Sequence, residues 1–122
     1  VSEVEWKTGH YVNGRLWYKT PYVNQQKHGI EKEYHNNDQL KRETPYVNGQ
    51  RHGIAKGYYY NGQLQWETPW VNGQTHGIER AYYSNGQLQD RSLLINGKRR
   101  DDLLSEVDDN RLTRLVLLGE EV

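Results

Sequence analysis

Three series of short motifs run through the chain with one shared step of 24 residues. Thr20-Pro21-Tyr22 returns as Thr44-Pro45-Tyr46 and as Thr68-Pro69-Trp70. A His-Gly-Ile triplet recurs at His28, His52 and His76. A turn before leucine reads Asn13-Gly14-Arg15-Leu16, Asn37-Asp38-Gln39-Leu40, Asn61-Gly62-Gln63-Leu64 and Asn85-Gly86-Gln87-Leu88. Interlocked series with a common period mean tandem copies of one supersecondary unit, each of which buries its apolar surface against its neighbours. The chain therefore divides into about four repeats over residues 1–100 and a non-repeating C-terminal segment, residues 101–122.

Each unit reads as a β-hairpin. One arm runs from about Gly53 to Tyr60 and is rich in Tyr and Ile. Asn61-Gly62 follows, the expected two-residue type I′ turn, since both central residues of such a turn need positive φ. The second arm runs from about Gln63 to Val71, and Asn72-Gly73 then reverses the chain in a longer loop reaching His76-Gly77. The expected fold is all-β, an extended antiparallel meander of hairpins. A turn at Asn61-Gly62 sets Lys56 opposite Glu67 and Gly57 opposite Trp66. By the same rule Lys32 faces Glu43, Gly9 faces Tyr18 and Arg80 faces Arg91. Opposite charges across a strand pair help modestly, and a ring lying over a glycine supplies packing that glycine lacks. Pro21, Pro45 and Pro69 cannot donate a ladder hydrogen bond and are expected where pairing stops before the Val-Asn turn.

Composition agrees with a thin sheet. The chain has no Phe, Met or Cys but 10 Tyr and 4 Trp, and only 34% of its residues are hydrophobic. Few aliphatic side chains precede Leu93, so the packing between repeats has to be aromatic. Low hydrophobicity also marks disordered chains, but the strict repeat and the ring content argue for order.

The unit Tyr58-Tyr59-Tyr60-Asn61-Gly62-Gln63-Leu64, followed by Asn72-Gly73-Gln74-Thr75-His76-Gly77, resembles MORN repeats, in the variant common in bacteria. The resemblance covers residues 1 to about 100. It implies elongated sheets of stacked hairpins that act as scaffolds and interaction modules, with antitoxin-like bacterial members and a proposed affinity for lipid. The Thr-Pro-aromatic step and the uniform His-Gly-Ile loop depart from that pattern and point to recently duplicated units.

Beyond Leu103 the period is lost. Leu103, Leu104, Val107, Leu112, Leu115, Val116, Leu117 and Leu118 make an aliphatic segment. Asp101 or Asp102 at its start and Gly119 near its end suit the limits of a helix, while 115–118 also suit a strand. The segment is either a cap over the last hairpin's open edge or a docking element, with Leu112, Leu115 and Val116 as contacts for a partner or a second copy.

Chemistry is hard to place on such a pattern. Equivalent residues on successive hairpins lie two strand spacings apart, about 9–10 Å, whereas zinc ligands sit about 2 Å from their ion. His28, His52 and His76 therefore do not share a metal on a regular sheet, and a role in the loop before each glycine is expected of them. Glu31, Glu43, Glu67 and Glu79 recur with the repeat or nearly so, unlike the asymmetric constellation of an active site. No Gly-rich phosphate loop and no nucleophile elbow is present. The 16 basic and 16 acidic residues cancel, which disfavours nucleic acid, whose binding rests on phosphate neutralisation. No 18-residue apolar stretch and no signal-peptide pattern is visible. The absence of cysteine fits the cytosol.

The repeated rows are the candidate binding surfaces: Tyr34, Tyr58 and Tyr82; Tyr22, Tyr46 and Trp70; Lys32, Lys56 and Arg80. They serve either as packing between repeats or as an exposed aromatic and basic surface of the kind enriched at protein interfaces. The sequence reading is a non-enzymatic protein-binding module without cofactor or metal. Its concrete form, an antitoxin-like or inhibitor protein, is implied by the resemblance. The alternative is a structural or membrane-peripheral scaffold. Self-association through the first strand, Val4 to Val12, or through the C-terminal segment is also open.

Overall fold

In the computed structural model, which describes residues 3–104, the chain forms one antiparallel sheet of twelve strands. They are β1 (Glu5–His10), β2 (Leu16–Val23), β3 (Gln26–Lys27), β4 (Gly29–Tyr34), β5 (Leu40–Val47) and β6 (Gln50–Arg51), followed by β7 (Gly53–Tyr58), β8 (Leu64–Val71), β9 (Gln74–Thr75), β10 (Gly77–Tyr82), β11 (Leu88–Ile95) and β12 (Lys98–Arg99). The four hairpins β1–β2, β4–β5, β7–β8 and β10–β11 lie side by side in sequence order. The two-residue strands β3, β6 and β9 fold back on the strand before them. This is the all-β meander of 24-residue units expected from the repeat.

The expected pairs are all present: Lys56 with Glu67, Gly57 with Trp66, Lys32 with Glu43, Gly9 with Tyr18 and Arg80 with Arg91. The turns that produce them are not those expected. At Asn61-Gly62 the Gly62 N–H bonds the Tyr59 carbonyl at 2.9 Å and the Tyr59 N–H bonds the Gln63 carbonyl at 2.8 Å. Only Gly62, at φ 89°, has positive φ, so this is a three-residue loop with glycine in the left-handed position. The Asn61 side chain explains the choice, because its Oδ1 accepts the Gln63 N–H at 3.0 Å and favours a local turn around Asn61. A bulge then passes from Tyr58 opposite Leu64 to Gly57 opposite Trp66. It returns the extra loop residue, so every pair beyond it matches the shorter turn. The type I′ geometry belongs instead to Asn72-Gly73, at φ 49° and 85°, directly between paired Val71 and Gln74.

The prolines correct another expectation. Pairing does not stop at Pro69: Trp70 and Val71 continue against Thr75 and Gln74. Pro69 accepts the His76 N–H on its carbonyl at 3.0 Å. The bulge that proline requires falls on the neighbouring strand, at His76-Gly77. Gly77 there has φ 132°, and a Cβ would lie 2.8 Å from Pro69 Cγ, so proline and glycine fit as a pair. Pro21–Gly29 and Pro45–Gly53 repeat the contact. This links the Thr-Pro and His-Gly motifs physically.

Buried hydrophobic side chains are few: Ala55, Ile78, Leu93 and Leu94 among the described residues. The core sits at the C-terminal end, where Ile95, Leu103 and Leu104 pack against Ile78 and Leu93. The described part of the C-terminal segment is a 3-10 turn, Asp101–Leu103, entered at Arg100. Asp101 does not cap it; Asp101 Oδ1 accepts the Leu93 N–H at 3.0 Å, and the Arg100 N–H bonds the Leu93 carbonyl at 2.7 Å. Residues 98–104 thus close part of the last strand's edge and cover one face. Leu112, Leu115 and Val116 lie outside the described residues.

Candidate binding surfaces

Side chains alternate across a strand, so the register sorts the candidate rows by face. One face carries Tyr22, Tyr46 and Trp70; the other carries Lys32, Lys56, Arg80, Tyr34, Tyr58 and Tyr82. The rows named from sequence therefore form two surfaces rather than one.

On the first, aromatic face, each ring has a cation above it. Lys7 Nζ lies 4.4 Å from the Tyr22 ring centroid, Lys27 Nζ 4.9 Å from that of Tyr46, and the Arg51 guanidinium 4.8 Å from that of Trp70. The first lies within hairpin β1–β2, the other two cross from one hairpin unit to the next, and each is worth about 0.5–1 kcal/mol when exposed. Beneath them runs a buried row, Thr20, Thr44, Thr68 and Ser92. Thr20 Oγ1 donates to Glu31 Oε2 at 2.7 Å, and Thr68 Oγ1 to Glu79 Oε2 at 2.7 Å. Lys27 Nζ lies 3.2 Å from Glu31 Oε2. Burial is the largest single influence and works against the Lys27 ammonium, but its hydrogen bond and charge attraction to Glu31, with smaller help from Tyr46 and Tyr22, together raise its pKa.

The second face has a charged row in continuous register: Lys19, Lys32, Glu43, Lys56, Glu67, Arg80 and Arg91. Tyr58 donates to Glu43 Oε1 and Tyr82 to Glu67 Oε1, each at 2.8 Å. Burial, and then the Glu43 carboxylate it bonds, push the Tyr58 phenol up to about 12; burial and Glu67 raise Tyr82 in the same way. Beside this row lies an apolar one. Trp6, Ile30 and Ile54 are 55%, 47% and 53% exposed, whereas Ile78, under Leu103 and Leu104, is 4% exposed. A groove of about 280 Å³ runs between His52 and Ile54 on one side and His76 and Ile78 on the other.

The histidines do not converge. Nδ1 of His28, His52 and His76 accepts the backbone N–H of Asn48, Asn72 and Asn96, each at 3.1 Å. Each ring thus reaches the next repeat's turn. Among the described residues no group of three His, Cys, Asp or Glu is placed to hold a metal, and no helix is long and apolar enough to cross a membrane.

Sequence reasoning missed the matching contacts at the opposite sheet margin. The Tyr11 and Tyr59 hydroxyls donate to the carbonyls of Tyr34 and Tyr82 at 2.6 and 2.7 Å, and His35 Nε2 bonds the Tyr58 carbonyl at 3.1 Å. Tyr11, His35 and Tyr59 stand 24 residues apart; that step was the available signal, and the histidine in the middle hid it. The cations Lys7, Lys27 and Arg51 were missed because Lys27 and Arg51 sit in segments taken for loops.

Fold and surfaces together define a tandem β-hairpin repeat protein whose two faces carry different repeated rows. Residues 27–48, 51–72 and 75–96 each match the family model described as MORN repeat variant. These segments make up more than half of the chain, and the chain belongs to that family. MORN repeats are commonly protein- or membrane-binding modules. A search of curated proteins finds no match. Among solved structures the chain is similar to TarM at 12% identity and TM-score 0.53, covering 97% of this chain and 22% of that one. It is also similar to a mutant S. aureus TarM in complex with Fondaparinux, alpha-GlcNAc-glycerol and UDP, at 10% identity and TM-score 0.53, covering 96% of this chain and 23% of that one. At these identities the likeness is one of fold, and the chain spans less than a quarter of those proteins.

Proposed function

We propose that this chain is a non-enzymatic protein-binding module that occupies a partner as an antitoxin-like or inhibitor protein does. The observation that carries the reading is the aromatic face. Its rings repeat in register at strand-pair intervals, each with a cation over it, a surface of Tyr, Trp, Arg and carboxylates suited to a protein interface. Its acidic groups, Glu31, Glu33 and Glu79, oppose binding to an anionic membrane. The test is affinity capture by the full chain from its native source, with a Tyr46→Ala and Trp70→Ala double variant as control. A stoichiometric protein captured by the natural chain and lost from the variant is expected. Capture that is indifferent to both rings defeats the assignment to this face.

A specific observation favours a second reading, a membrane-peripheral scaffold. The opposite face sets Trp6, Ile30 and Ile54 beside Lys19, Lys32, Lys56 and Arg80, which suits an interfacial contact with anionic lipid. Co-sedimentation with phosphatidylserine vesicles at low salt supports it, and no binding there removes it.

A further inference from the structure

The junction between the first two hairpins shows how this sheet holds a carboxylate. The Thr20 hydroxyl and the Lys27 ammonium both meet Glu31 Oε2, at 2.7 and 3.2 Å. At the junction of the third and fourth hairpins, Thr68 and Glu79 repeat the hydroxyl–carboxylate pair at 2.7 Å. The middle junction has the donors without the acceptor. Thr44 and Arg51 stand where Thr20 and Lys27 stand, but Ala55 occupies the position of Glu31 and Glu79.

The missing side chain leaves a cavity of about 300 Å³ on the aromatic face, lined by Thr44, Ala55, Trp66, Trp70, Arg42 and Arg51, with Glu31 and Glu79 at its ends. Thr44 is 7% exposed, and among the described residues its hydroxyl has no hydrogen-bond partner. A buried hydroxyl without a protein partner is rare in native structures, and this one is open to water or to a ligand through the cavity. Arg51 lies over the Trp70 ring and, among the described residues, pairs with no carboxylate. Arg42 lines the cavity while meeting Glu33 at 3.8 Å. The unfilled donors are thus a hydroxyl and a guanidinium, in the positions of the hydroxyl and ammonium that hold Glu31 one junction earlier. They call for an anionic acceptor with an apolar stem to lie on the indoles.

We propose that this cavity receives the carboxylate side chain of a glutamate or aspartate presented by a partner protein. The inference rests on the binding-module reading and names the chemistry by which that face takes its partner. The incoming carboxylate accepts the Thr44 O–H and the Arg51 N–H, restoring at the middle junction the arrangement that Glu31 completes within the chain.

Titration of the ¹⁵N-labelled full chain with the peptide acetyl-Gly-Glu-Gly-amide tests this, with acetyl-Gly-Gln-Gly-amide and glutarate as comparisons. Saturable shifts are expected at Thr44, Ala55 and the indole N–H groups of Trp66 and Trp70, with affinity about tenfold higher for the glutamate peptide than for the glutamine one. Ala55→Glu supplies the carboxylate from within, so it is expected to abolish peptide binding and raise the melting temperature. Arg51→Gln keeps a side chain over Trp70 and is expected to weaken binding about tenfold with the fold intact by circular dichroism. Equal binding of the glutamine peptide, or undiminished binding to Ala55→Glu, overturns the proposal. Glutarate saturating the site while the peptide does not assigns it to a small free dicarboxylate and overturns the protein-borne source. A partner captured equally by the natural chain and by Ala55→Glu leaves the module reading standing and removes this one. Glutamate-peptide binding with no protein captured upholds the cavity and removes the module reading.

Discussion

Replacing Gly57 by alanine adds one methyl group to the sheet, and the structure says that it destabilises. The φ of Gly57 is not in the left-handed region, so the backbone accepts alanine. The obstacle is the indole of Trp66, directly opposite on β8. A Cβ on Gly57 would lie 2.2 Å from Trp66 Nε1, 2.3 Å from Cε2 and 2.7 Å from Cζ2. Non-bonded carbon atoms settle at about 3.5–4.0 Å, so the ring has to withdraw by more than about 1 Å and leave its seat on the strand. Overpacking of this kind costs about 1–3 kcal/mol. Against it stands a gain of about 0.4–1 kcal/mol from the smaller entropy of the unfolded chain. The net loss is about 1–2 kcal/mol, and at about 4–8 °C per kcal/mol for a domain of this size the midpoint falls by roughly 4–16 °C.

The assay is urea and thermal denaturation of four proteins: the natural chain, Gly57→Ala, Trp66→Ala and the double variant. With the ring gone, Gly57→Ala is expected to be neutral or to stabilise by about 0.4–1 kcal/mol. The coupling between the two sites is then about 1–3 kcal/mol. The reasoning is refuted by a Gly57→Ala protein at least as stable as the natural one, or by an equal cost with and without Trp66.

Three further outcomes follow from single contacts. Gln25, at φ 68°, stands where the other turns have Gly49, Gly73 and Gly97; Gln25→Gly relieves a left-handed strain of about 1–2 kcal/mol against a smaller entropy cost, and equilibrium unfolding should show a gain of about 0.5–1 kcal/mol. His52→Phe keeps a ring but removes the Nδ1 acceptor of the Asn72 N–H, so stability should fall by about 1 kcal/mol; exchange protection of the Asn72 amide, read by NMR, should fall with it. The raised phenol of Tyr58 is an acid held in its neutral form by the fold, so its contribution to stability is full below the ordinary tyrosine value of about 10 and is lost as pH rises through about 12. Ultraviolet titration should show this late ionisation, and Glu43→Gln should lower it only in part, because burial is the first cause and the carboxylate the second.

The hairpins and their register were legible because a 24-residue step is a strong regularity and because side-chain pairing has a period of two. The turn types were not legible. Asn61-Gly62 and Asn72-Gly73 have the same dipeptide, and what separates them is how the flanking strands end. The loop at Asn61 is followed by a bulge, whereas Val71 and Gln74 pair directly across Asn72-Gly73. Two departures from expectation, one extra loop residue and one bulge, offset each other, so the right pairs came from the wrong turn. The prolines misled for a related reason. Seen alone, Pro69 reads as a strand end, and only Gly77 packed against its ring shows that the irregularity has moved to the next strand. Candidate rows were found by their step, but assigning them to faces needed the register across hairpins. That register is set by the backbone between β8 and β10, which the sequence does not display.

A comparison of the repeats with one another separates holding from binding. On the face with the charged row, the central copies hardly differ: Ile30, Ile54 and Ile78; Pro21, Pro45 and Pro69; Lys32, Lys56 and Arg80; Glu43 and Glu67. The turn residues are as uniform, with His28, His52 and His76 each bonding the next asparagine. A sheet with so small a core is held by these copied contacts between neighbours, and any copy that lost them would open the array at that point. The aromatic face follows a different rule. Its mid-strand positions read Glu31, Ala55 and Glu79; Glu33, Gly57 and Ala81; Tyr18, Arg42, Trp66 and Asp90. Variation at these positions is accommodated pair by pair, as Gly57 makes room for the Trp66 indole. The aromatic face is thereby free to differ along its length, and a partner needs such a difference in order to dock in one register instead of sliding by whole repeats. The gap at Ala55, flanked by Glu31 and Glu79, breaks the repeat at its centre, and on the proposal above it sets that register.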